Sequence, residues 1–348
     1  MQDSKNVLPQ AANGAMPPIR LLQQVTAYRT TQCIRTAVEL EIASILESGP
    51  LDAAQLATAT QTHEDYLARV LDHLVNEGVF GKDDERRYFN TETSRFLLPD
   101  VPFSLNNWIR CELHPLYWRA WENGVEQLRR HKPAFELTHG SPFFEWLAQD
   151  EMAQKRFDRE MRSASMAMGS SAARHLRFAA GEVIVDVGGG DGSLLAGILA
   201  ENPGTTGILF ELPRTDAVLN PRFEDMISSG RATVEHGSFL DRIPDGGDAY
   251  VFSRVFHDFS DEIVNRILQN TGKVLKGHER LVIVDMMINP EKPRPGASSQ
   301  DMLMMVLLGG KERSSAEFTD LLTSNGFTDV KVTPTGSPLS ILEFRAKA

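Results

Sequence analysis

The sequence predicts an α/β protein in which a doubly wound domain with a mostly parallel sheet follows a mainly helical part. From residue 181 onward, short apolar runs alternate with amphipathic helical segments, which is the pattern of β–α–β units. One of these apolar runs ends in four glycines within five residues, a composition typical of a loop after a buried strand. The length of 348 residues and the hydrophobic share of 41% allow two domains with a sizeable core.

The N-terminal part begins with residues 1–18, which contain several prolines and are predicted to be a flexible lead-in. Residues 19–100 then show helical segments, the clearest at 67–74, where leucine and valine recur at helical spacing. Two short apolar strands near 79–80 and 88–89 flank a charged turn, which predicts a β-hairpin. Helices followed by a hairpin are the outline of a winged helix.

A winged helix suggests DNA binding, but the local charge argues against that function. Residues 51–100 contain five basic and ten acidic side chains, whereas contact with phosphates needs a basic face. The alternative, which we favour, is a module for packing and dimerisation. The whole chain has a formal net charge of −11, which disfavours both nucleic acids and anionic membranes as partners.

Residues 101–180 continue as predicted helices that are rich in Trp, Phe and Met. Most of these side chains are expected in the core. Some are expected to line a pocket for a flat apolar ligand, because Met and aromatic residues form adaptable walls. We therefore predict that this segment is a helical linker that contributes to a substrate pocket.

The predicted elements of the C-terminal domain alternate between strand and helix. They are strand 183–187, helix 193–201, strand 207–210, helix 215–220, strand 232–235, strand 248–252, helix 261–275, strand 280–286, helix 315–325 and strands near 328–333 and 339–345. In a doubly wound sheet, ligands bind at the carboxyl ends of the strands. The functional side chains that follow these ends are Asp186, Glu211, Ser238, His257 and Asp285. We expect them to converge on one crevice.

The glycine-rich turn and the acid after the next strand indicate a nucleoside-containing cofactor. Asp186 ends the first strand and is followed by Gly188, Gly190 and Gly192. Glu211 ends the next strand, where an acid can accept hydrogen bonds from the two hydroxyls of a ribose. The glycine spacing differs from the G-x-G-x-x-G of dinucleotide sites. An acid before the glycines would repel a pyrophosphate but suits a cationic amino-acid tail, which favours S-adenosylmethionine (SAM) over NAD.

His257 is the strongest candidate for a catalytic base, because it lies between a predicted strand and a predicted helix at the ligand edge. The ordinary pKa of histidine, about 6.5, suits proton transfer at neutral pH. Asp285 is placed to hold the other ring nitrogen and to stabilise the imidazolium, as the third member of a catalytic triad does. Glu312 could do the same from the opposite side.

Cysteine content and hydropathy bound the environment of the protein. The two cysteines, Cys33 and Cys111, are too few for a disulfide framework and lack the spacing of a metal site, so we predict no metal. No apolar run approaches the ~18 residues that span a bilayer, and the N-terminus lacks a signal-peptide pattern. We expect a cytoplasmic protein.

Together, these segments resemble the class I SAM-dependent small-molecule O-methyltransferases. That family includes plant caffeate and flavonoid enzymes and bacterial enzymes that tailor antibiotics and phenazines. The resemblance covers nearly the whole chain, and its markers are Val185–Gly192 (VDVGGGDG), Glu211–Pro213 (ELP), Val255–Glu262 (VFHDFSDE) and Gly309–Ser314 (GGKERS). It implies a Rossmann-like SAM-binding domain at 181–348 and a winged-helix-like dimerisation domain at 19–100, and hence a homodimer.

The resemblance also implies roles for individual residues. The cofactor-binding residues that it implies are Asp186, Gly188, Gly190, Gly192, Glu211, Leu212, Ser238, Phe239, Ser253 and Arg254. Among them, Glu211 would bind the ribose hydroxyls and Phe239 would lie against the adenine. His257 would be the general base, flanked by Asp285 and Glu312. The acceptor pocket would be shaped by Phe157, Met161, Asp258, Met302 and Met305.

The sequence departs from the family pattern at three positions. Ser238 stands where an acid is usual, and Ser253 stands where a Lys is usual, four residues before the base. Phe259 replaces the usual Trp after His257 and Asp258. Arg254, next to Ser253, is a candidate to compensate for the missing lysine.

The predicted reaction is in-line methyl transfer to a hydroxyl of an aromatic or polycyclic secondary metabolite, which leaves S-adenosyl-L-homocysteine. A dry apolar pocket would assist it, because an oxyanion that meets a sulfonium loses charge in the transition state. Two alternatives stay open. One keeps the fold and SAM but performs hydroxylation, decarboxylation or pericyclic chemistry. The other is a winged-helix regulator that binds a small ligand.

Overall fold

The computed structural model describes residues 16–213, 218–289, 291 and 295–346, and it divides the chain into two compact units. One unit ends at His114, and the other begins at Pro115. Most of the predicted lead-in and most of the predicted helix 215–220 lie outside the described residues. The boundaries proposed from the sequence for the lead-in, the linker and the two domains stay predictions.

The first unit contains helices and one antiparallel hairpin. Its elements are α1 (Pro17–Thr26), α2 (Tyr28–Glu39), α3 (Ile42–Ile45), α4 (Ala53–Thr60), α5 (Glu64–Asn76), β1 (Phe80–Lys82), β2 (Tyr88–Asn90) and α6 (Asn106–Glu112). Strand β1 pairs with β2 at the position of the predicted hairpin. The lead-in was predicted to extend through residue 18, but α1 already begins at Pro17, since the fixed φ of proline suits the first turn of a helix.

The second unit opens with helices that precede the sheet. They are α7 (Pro115–Ala120), α8 (Gly124–Arg130), α9 (Ala134–His139), α10 (Phe143–Leu147) and α11 (Glu151–Ala173). Aromatic rings hold the short helices together: the ring of Phe135 lies 5.1 Å from that of Phe143 and 6.1 Å from that of Trp146. Phe135 and Phe143 are buried, but Trp121 and Phe144 are 47% and 40% exposed. The expectation that most aromatic residues of this region lie in the core is therefore only partly met.

The rest of the second unit alternates strand and helix around one mixed sheet. Its elements are β3 (Val183–Val187), α12 (Ser193–Glu201), β4 (Thr206–Glu211), α13 (Pro221–Ser228), β5 (Ala232–His236), β6 (Ala249–Ser253), α14 (Asp261–Gly272), β7 (Arg280–Ile288), α15 (Pro295–Leu307), β8 (Arg313–Ser314), α16 (Ser315–Ser324), β9 (Phe327–Pro334) and β10 (Leu339–Ala346). The strand order is β5-β4-β3-β6-β7-β10-β9, with β8 beside β7. Strands β3 to β7 are parallel, whereas β10 runs antiparallel to both β7 and β9.

The apolar runs of the central strands arise because this sheet is covered on both faces. Val185, Val187 and Phe252 belong to a core on one face, together with residues of α14 and α16. Ile184 and Val251 belong to a core on the other face, together with residues of α11 and α12. Parallel strands buried on both faces have continuous apolar sequences. The predicted doubly wound architecture is confirmed.

Three local features differ from the predicted elements. The described residues 218–220 are not helical, and α13 begins only at Pro221, where the side chain of Asn220 accepts a hydrogen bond from the N–H of Arg222. Helix α15 and the short strand β8 were not predicted. No helix among the described residues is both long and apolar enough to cross a membrane.

Candidate active site

The strand order changes direction at β3, because β4 lies on one side of this strand and β6 on the other. Such a switch point opens a crevice at the carboxyl ends of the strands. The glycine-rich loop starts there: Gly188 donates its N–H to the carbonyl of Phe210 in β4, at 2.8 Å. The loop therefore continues from the sheet directly into this crevice.

The loop needs its glycines for conformation and for close approach. Gly188, Gly190 and Gly192 have φ values of +70°, +62° and +78°, which favour glycine over other residues. A Cβ on Gly188 would lie 3.3 Å from the ring of Phe239, and a Cβ on Gly192 would lie 2.6 Å from the ring of Phe223. Gly190 has open space where its Cβ would be. The backbone is thus exposed to the crevice at Gly190 and packed against side chains at the other two.

Asp186 is a fully buried carboxyl below this loop. Neither of its oxygens has a hydrogen-bond partner among the described residues. Burial, followed by the negative charges of Glu211 and Asp191, raises the pKa of Asp186 to about 7. A buried acid without a partner is costly when charged. A cationic group bound beside it would relieve that cost.

Glu211 is fixed by the backbone of the loops around it. Its Oε2 accepts the N–H of Gly190 at 2.9 Å, and its Oε1 accepts the N–H of Leu212 at 2.8 Å. A carboxylate offers about four lone-pair positions, so two positions stay available for further donors. A pair of ribose hydroxyls fits that capacity. Leu212 takes part through its backbone N–H, which holds the Glu211 carboxylate.

Phe239 and Ser238 follow the loop after β5. The ring of Phe239 lies beside Gly188 and 5.8 Å from the ring of Phe259, which it meets edge-on. Ser238 Oγ accepts the N–H of Leu240 at 3.2 Å, so this hydroxyl supports the turn that presents Phe239. A flat ring beside the glycine loop suits stacking against a nucleobase.

Ser253 and Arg254 lie at the carboxyl end of β6. Ser253 pairs with Val284 of β7, and the N–H of Arg254 donates to the carbonyl of the same Val284 at 2.9 Å. Arg254 has a φ of +56°, which is uncommon for a residue with a side chain and tends to occur at functional sites. Its Nη2 lies 3.6 Å from the sulfur of Met161. The structure thus joins Arg254 to the predicted acceptor pocket.

His257 lies on a single 3₁₀ turn after β6 and is 5% exposed. Its Nδ1 lies 2.9 Å from Glu312 Oε1 and 3.4 Å from Asp285 Oδ1. Its Nε2 lies 3.4 Å from Asp258 Oδ1. The predicted triad members are therefore together, but both acids face the same ring nitrogen, whereas Glu312 was expected on the opposite side. We call these four residues the His257 cluster.

The charges of the His257 cluster shift its proton affinities strongly. Burial alone would lower the pKa of His257, but the carboxylates of Asp285, Asp258 and Glu312 outweigh it and raise that pKa to about 9. Burial also raises the pKa values of Asp285 and Asp258 to about 6, although the positive charge of His257 opposes the rise. One oxygen each of Asp285 and Glu312 is buried without a hydrogen-bond partner among the described residues. The cluster is thus a compact acidic environment around one strongly basic imidazole.

Three residues of the His257 cluster are also of types that bind metal ions. One ligand atom each from His257, Asp285 and Glu312 lies within 4.8 Å of the others. These ligand types also bind metals, but the 2.9 Å hydrogen bond between His257 and Glu312 already uses Nδ1. That no metal is needed therefore stays a prediction.

Four of the residues expected around the acceptor lie on α11 and α15, whereas the fifth, Asp258, lies on the 3₁₀ turn with His257. The ring of Phe157 in α11 lies 5.5 Å from that of Phe143 and 6.1 Å from that of Phe144. On α15, Met302 is 41% exposed, and the carbonyl of Met305 accepts a hydrogen bond from Gln127.

Two residues that support the site, Phe144 and Asp301, were given no individual role by the sequence analysis. Phe144 lies 6.5 Å from the ring of Phe259 and so connects Phe157 with the ring pair beside the glycine loop. Asp301 of α15 accepts the N–H of Glu312 at 2.9 Å and thereby fixes the backbone next to the His257 cluster. Asp301 directly precedes the apolar run 302–307, but α15 itself was not predicted, so no role was assigned to this acid.

A doubly wound sheet with a glycine loop at its switch point and an acid at the end of the neighbouring strand is typical of enzymes that bind a nucleoside-containing cofactor. Comparison with known proteins identifies the class. A family model described as an O-methyltransferase domain matches residues 118–328, and one described as an O-methyltransferase dimerisation domain matches residues 22–100. The chain belongs to this family of O-methyltransferases.

Individual relatives agree with this assignment. The chain is 35% identical over 318 residues to a mitomycin biosynthesis 6-O-methyltransferase of Streptomyces lavendulae, covering 90% of each chain. It is similar to the solved structure of a mitomycin 7-O-methyltransferase, with a TM-score of 0.87, 33% identity and coverage of 94% and 97% of the two chains. It is also similar to an O-methyltransferase from neocarzinostatin biosynthesis solved with SAM and 2-hydroxy-5-methyl naphthoic acid, with a TM-score of 0.78, 29% identity and coverage of 91% and 96%.

These findings confirm the predicted class of protein, its fold and its cofactor. The protein is a SAM-dependent methyltransferase with a Rossmann-like domain and a dimerisation domain. The chemistry of the crevice residues also fits that cofactor, independently of the comparisons. Asp186 lacks a cation, Glu211 has acceptor capacity for two hydroxyls, and Gly190 leaves open space beside the backbone.

The burial of Asp186 predicts a trade between stability and cofactor binding. Because its pKa is raised from 3.8 to about 7, this group stabilises the cofactor-free fold fully below about pH 4, and that contribution is lost as the pH rises towards 7. We expect Asp186→Asn to remove this loss, which is on the order of a few kcal/mol, and to weaken SAM binding about tenfold or more. Urea unfolding at pH 5 and pH 8 and calorimetric titration with SAM measure the two effects.

Asp241, which lies in the loop after β5 that carries Phe239, supplies the matched control. Its side chain is 74% exposed, so Asp241→Asn removes an acid that is not buried. This variant should keep both the pH dependence of the wild-type protein and its affinity for SAM. An Asp186→Asn protein whose unfolding free energy falls between pH 5 and pH 8 as steeply as that of the wild type would contradict the assignment.

Proposed function

We propose that the protein methylates a hydroxyl of an aromatic or polycyclic secondary metabolite, with His257 as the general base. The observation that supports this most strongly is the His257 cluster, in which two buried acids face Nδ1 of one histidine. The cluster follows β6, next to the strand that ends in the glycine loop. A general base at this position can accept the proton that a hydroxyl loses when its oxygen takes the methyl group.

For the cofactor, we propose the residues that surround the glycine loop. Gly188, Gly190 and Gly192 shape the loop, and Asp186 faces a cationic group. The other proposed contacts are Glu211 and Leu212 for the ribose, Ser238 and Phe239 for the base, and Ser253 with Arg254 at the end of β6. When bound, SAM supplies an electrophilic methyl group on a sulfonium.

The proposed base acts through its second nitrogen. Glu312 accepts from Nδ1 at 2.9 Å, which fixes the tautomer and leaves Nε2 as the proton acceptor. Asp285 lies 3.4 Å from the same Nδ1 and stabilises the imidazolium that forms. Asp258 faces Nε2 at 3.4 Å, so it is placed to contact the hydroxyl that gives up the proton. These residues raise the basicity of the imidazole and hold its orientation.

For the acceptor, we propose a wall of rings and methionines. Phe157 and Met161 come from α11, and Met302 and Met305 come from α15. Rings and thioethers suit a flat apolar molecule, and they exclude water from the reacting atoms. One compared relative is named for mitomycin biosynthesis, and another was solved in complex with 2-hydroxy-5-methyl naphthoic acid. Both names support an aromatic or polycyclic substrate for this protein.

The second candidate function keeps SAM but not methyl transfer. Ser238 and Ser253 differ from the usual acid and lysine of the family, and this difference favours an altered use of the cofactor. The His257 cluster favours methyl transfer, because hydroxylation or pericyclic chemistry does not need a base held by two acids.

We further propose a homodimer that acts in the cytoplasm without nucleic-acid or membrane partners. The first unit matches a dimerisation domain, and α1 exposes large apolar side chains, with Leu21 and Leu22 both 62% exposed. Exposed apolar residues on one helix suit an interface with a second copy. Cys33 and Cys111 form no disulfide, and the net charge of −11 opposes contact with polyanions.

The test is transfer of a labelled methyl group. We expect the purified protein, assayed in EDTA with methyl-labelled SAM, to label phenols or hydroxylated polycyclic aromatics, and to leave matched compounds without the hydroxyl unlabelled. The panel includes 2-hydroxy-5-methyl naphthoic acid and its amino counterpart. Mass spectrometry of the products distinguishes an added methyl group from an added oxygen or a lost carboxyl group. Transfer that disappears in EDTA, or products without a new methyl group, would contradict the proposal.

A further inference from the structure

Arg313 is a fully buried arginine directly after Glu312, and its guanidinium holds the backbone around His257. Its Nη1 donates to the carbonyl of Phe256 at 2.6 Å, and its Nη2 donates to the carbonyl of Phe259 at 2.8 Å. Phe256 is the first residue of the 3₁₀ turn that presents His257, and Phe259 is the residue directly after that turn. Nε and Nη2 also donate to Asp261 Oδ1, at 3.0 and 2.7 Å, at the start of α14.

The segment around Arg313 touches this turn at a second point. A Cβ on Gly310 would lie only 2.0 Å from the carbonyl oxygen of His257, so the loop and the turn are in direct backbone contact. Consecutive side chains of an extended segment point to opposite sides. Glu312 therefore reaches the imidazole of His257 while Arg313 reaches the carbonyls around it.

The charge of Arg313 is matched to this position. A buried guanidinium is tolerated only when its donors are paired, and here they are divided between Asp261 and main-chain carbonyls. The fork of arginine reaches several acceptors at once, which the single ammonium of lysine does not. Asp261 is 51% exposed, so the ion pair alone does not require a fully buried arginine. The hydrogen bonds to the carbonyls of Phe256 and Phe259 account for the burial of Arg313.

We propose that Arg313 is a positioning residue, which fixes the His257 turn against Glu312 and so holds the base in its working orientation. This inference rests on the proposed role of His257 as the general base. The charged groups that face His257 are Asp258 on its own turn, Asp285 within β7 and Glu312 before β8, with Arg254 near the first two. Arg313 controls the distance to the one that is hydrogen-bonded.

The test compares two conservative arginine variants in the full-length protein. Arg231 is the matched control, because it also donates to several carbonyls, those of Thr205, Leu199 and Asn202, but at the amino ends of the strands. Histidine labelled with ¹⁵N reports the titration of His257, which is identified by its disappearance in His257→Gln. We expect Arg313→Lys to lower the titration midpoint of His257 by about one pH unit, since the contact with Glu312 loosens, and Arg231→Lys to leave it unchanged.

Asp261→Asn provides a second variant that removes the exposed partner of Arg313 and should shift the midpoint in the same direction by a smaller amount. An unchanged midpoint in folded Arg313→Lys, or an equal shift in Arg231→Lys, would overturn the proposal. In the methyl-transfer assay, His257→Ala combined with Arg313→Lys should be no slower than His257→Ala alone. If His257→Ala turns over at the wild-type rate, the base assignment itself fails. If His257→Ala is slow but the double variant is slower still, by the factor that Arg313→Lys causes alone, the role of Arg313 fails while the base assignment stands.

Discussion

His257→Ala is expected to lower kcat for methyl transfer by about 10²- to 10⁴-fold, the range that a positioned general base contributes. The affinity for SAM should stay unchanged, because the glycine loop follows β3 and Glu211 ends β4, so neither lies on the His257 turn. Initial rates with methyl-labelled SAM and an acceptor from the panel measure kcat, and calorimetric titration measures cofactor binding.

His278 provides the control for this variant. It also faces two acids, with Nε2 3.9 Å from Asp248 and 3.6 Å from Glu279, but it is 71% exposed and precedes β7. His278→Ala should therefore keep wild-type turnover. A His257→Ala protein that transfers methyl groups at the wild-type rate would refute the base assignment, and a loss of SAM binding would reassign His257 to the cofactor.

The raised pKa of His257 adds a pH dependence to the same prediction. Only the neutral imidazole accepts a proton, so kcat/KM should rise about tenfold per pH unit from neutral pH and level off near pH 9. A phenol such as that of tyrosine has a pKa of about 10. A base with a pKa of about 9 therefore takes that proton at much smaller cost than an ordinary histidine would. The raised pKa thus has two opposite effects. It lowers the fraction of neutral imidazole at neutral pH, and it makes each proton transfer to that imidazole more favourable.

Glu312→Gln distinguishes His257 from the acceptor as the source of this pH limb. Removal of one negative charge from Nδ1 should lower the pKa of His257 and move the limb to lower pH. Titration of the acceptor hydroxyl itself would not respond to this change. A limb that stays at the wild-type pH in Glu312→Gln would show that His257 does not control it.

The sequence predicted the sheet well because its signals were local. Val183–Val187 and Ala249–Ser253 are apolar runs that end in turn residues, and both are strands buried on two faces. The predicted helix 215–220 conflicts with Pro221, which fits the first turn of α13 rather than the end of a helix. Helix α15 was missed because its first turn contains glycine and serines, which are weak helix formers.

The same distinction applies to the candidate site, where local signals predicted some residues and long-range contacts determine the others. Side chains at strand ends could be placed in one crevice from topology alone, so Asp186, Glu211 and Asp285 were accessible to sequence reasoning. The contacts of Asp301 and Arg313 join segments that are far apart in sequence, and no periodicity encodes them. For the same reason, sequence reasoning could not show that Asp285 and Glu312 share one nitrogen of His257.

Glu211→Gln is expected to weaken binding of SAM and of S-adenosylhomocysteine by about 100-fold or more. Hydrogen bonds to a charged group contribute about 1.5–3 kcal/mol each, and the proposed role of Glu211 gives it two ribose hydroxyls. The amide also places a donor group where the N–H of Gly190 or Leu212 already donates, so the side chain must turn away from one of them. Calorimetric titration with S-adenosylhomocysteine measures the loss without an acceptor.

The design must separate loss of the ribose contact from disturbance of the loop, because Glu211 also holds Gly190. Glu235 lies near the end of the neighbouring strand β5 and pairs with Arg242 at 2.5 Å, so Glu235→Gln is the matched variant that should bind normally. The ligand supplies the second control: a 2′,3′-dideoxy analogue of S-adenosylhomocysteine should bind the wild type weakly and Glu211→Gln equally weakly. If Glu211→Gln weakens both ligands by the same factor, the carboxylate acts on the loop rather than on the ribose. Equal affinity of Glu211→Gln and wild type for S-adenosylhomocysteine would remove Glu211 from the cofactor site altogether.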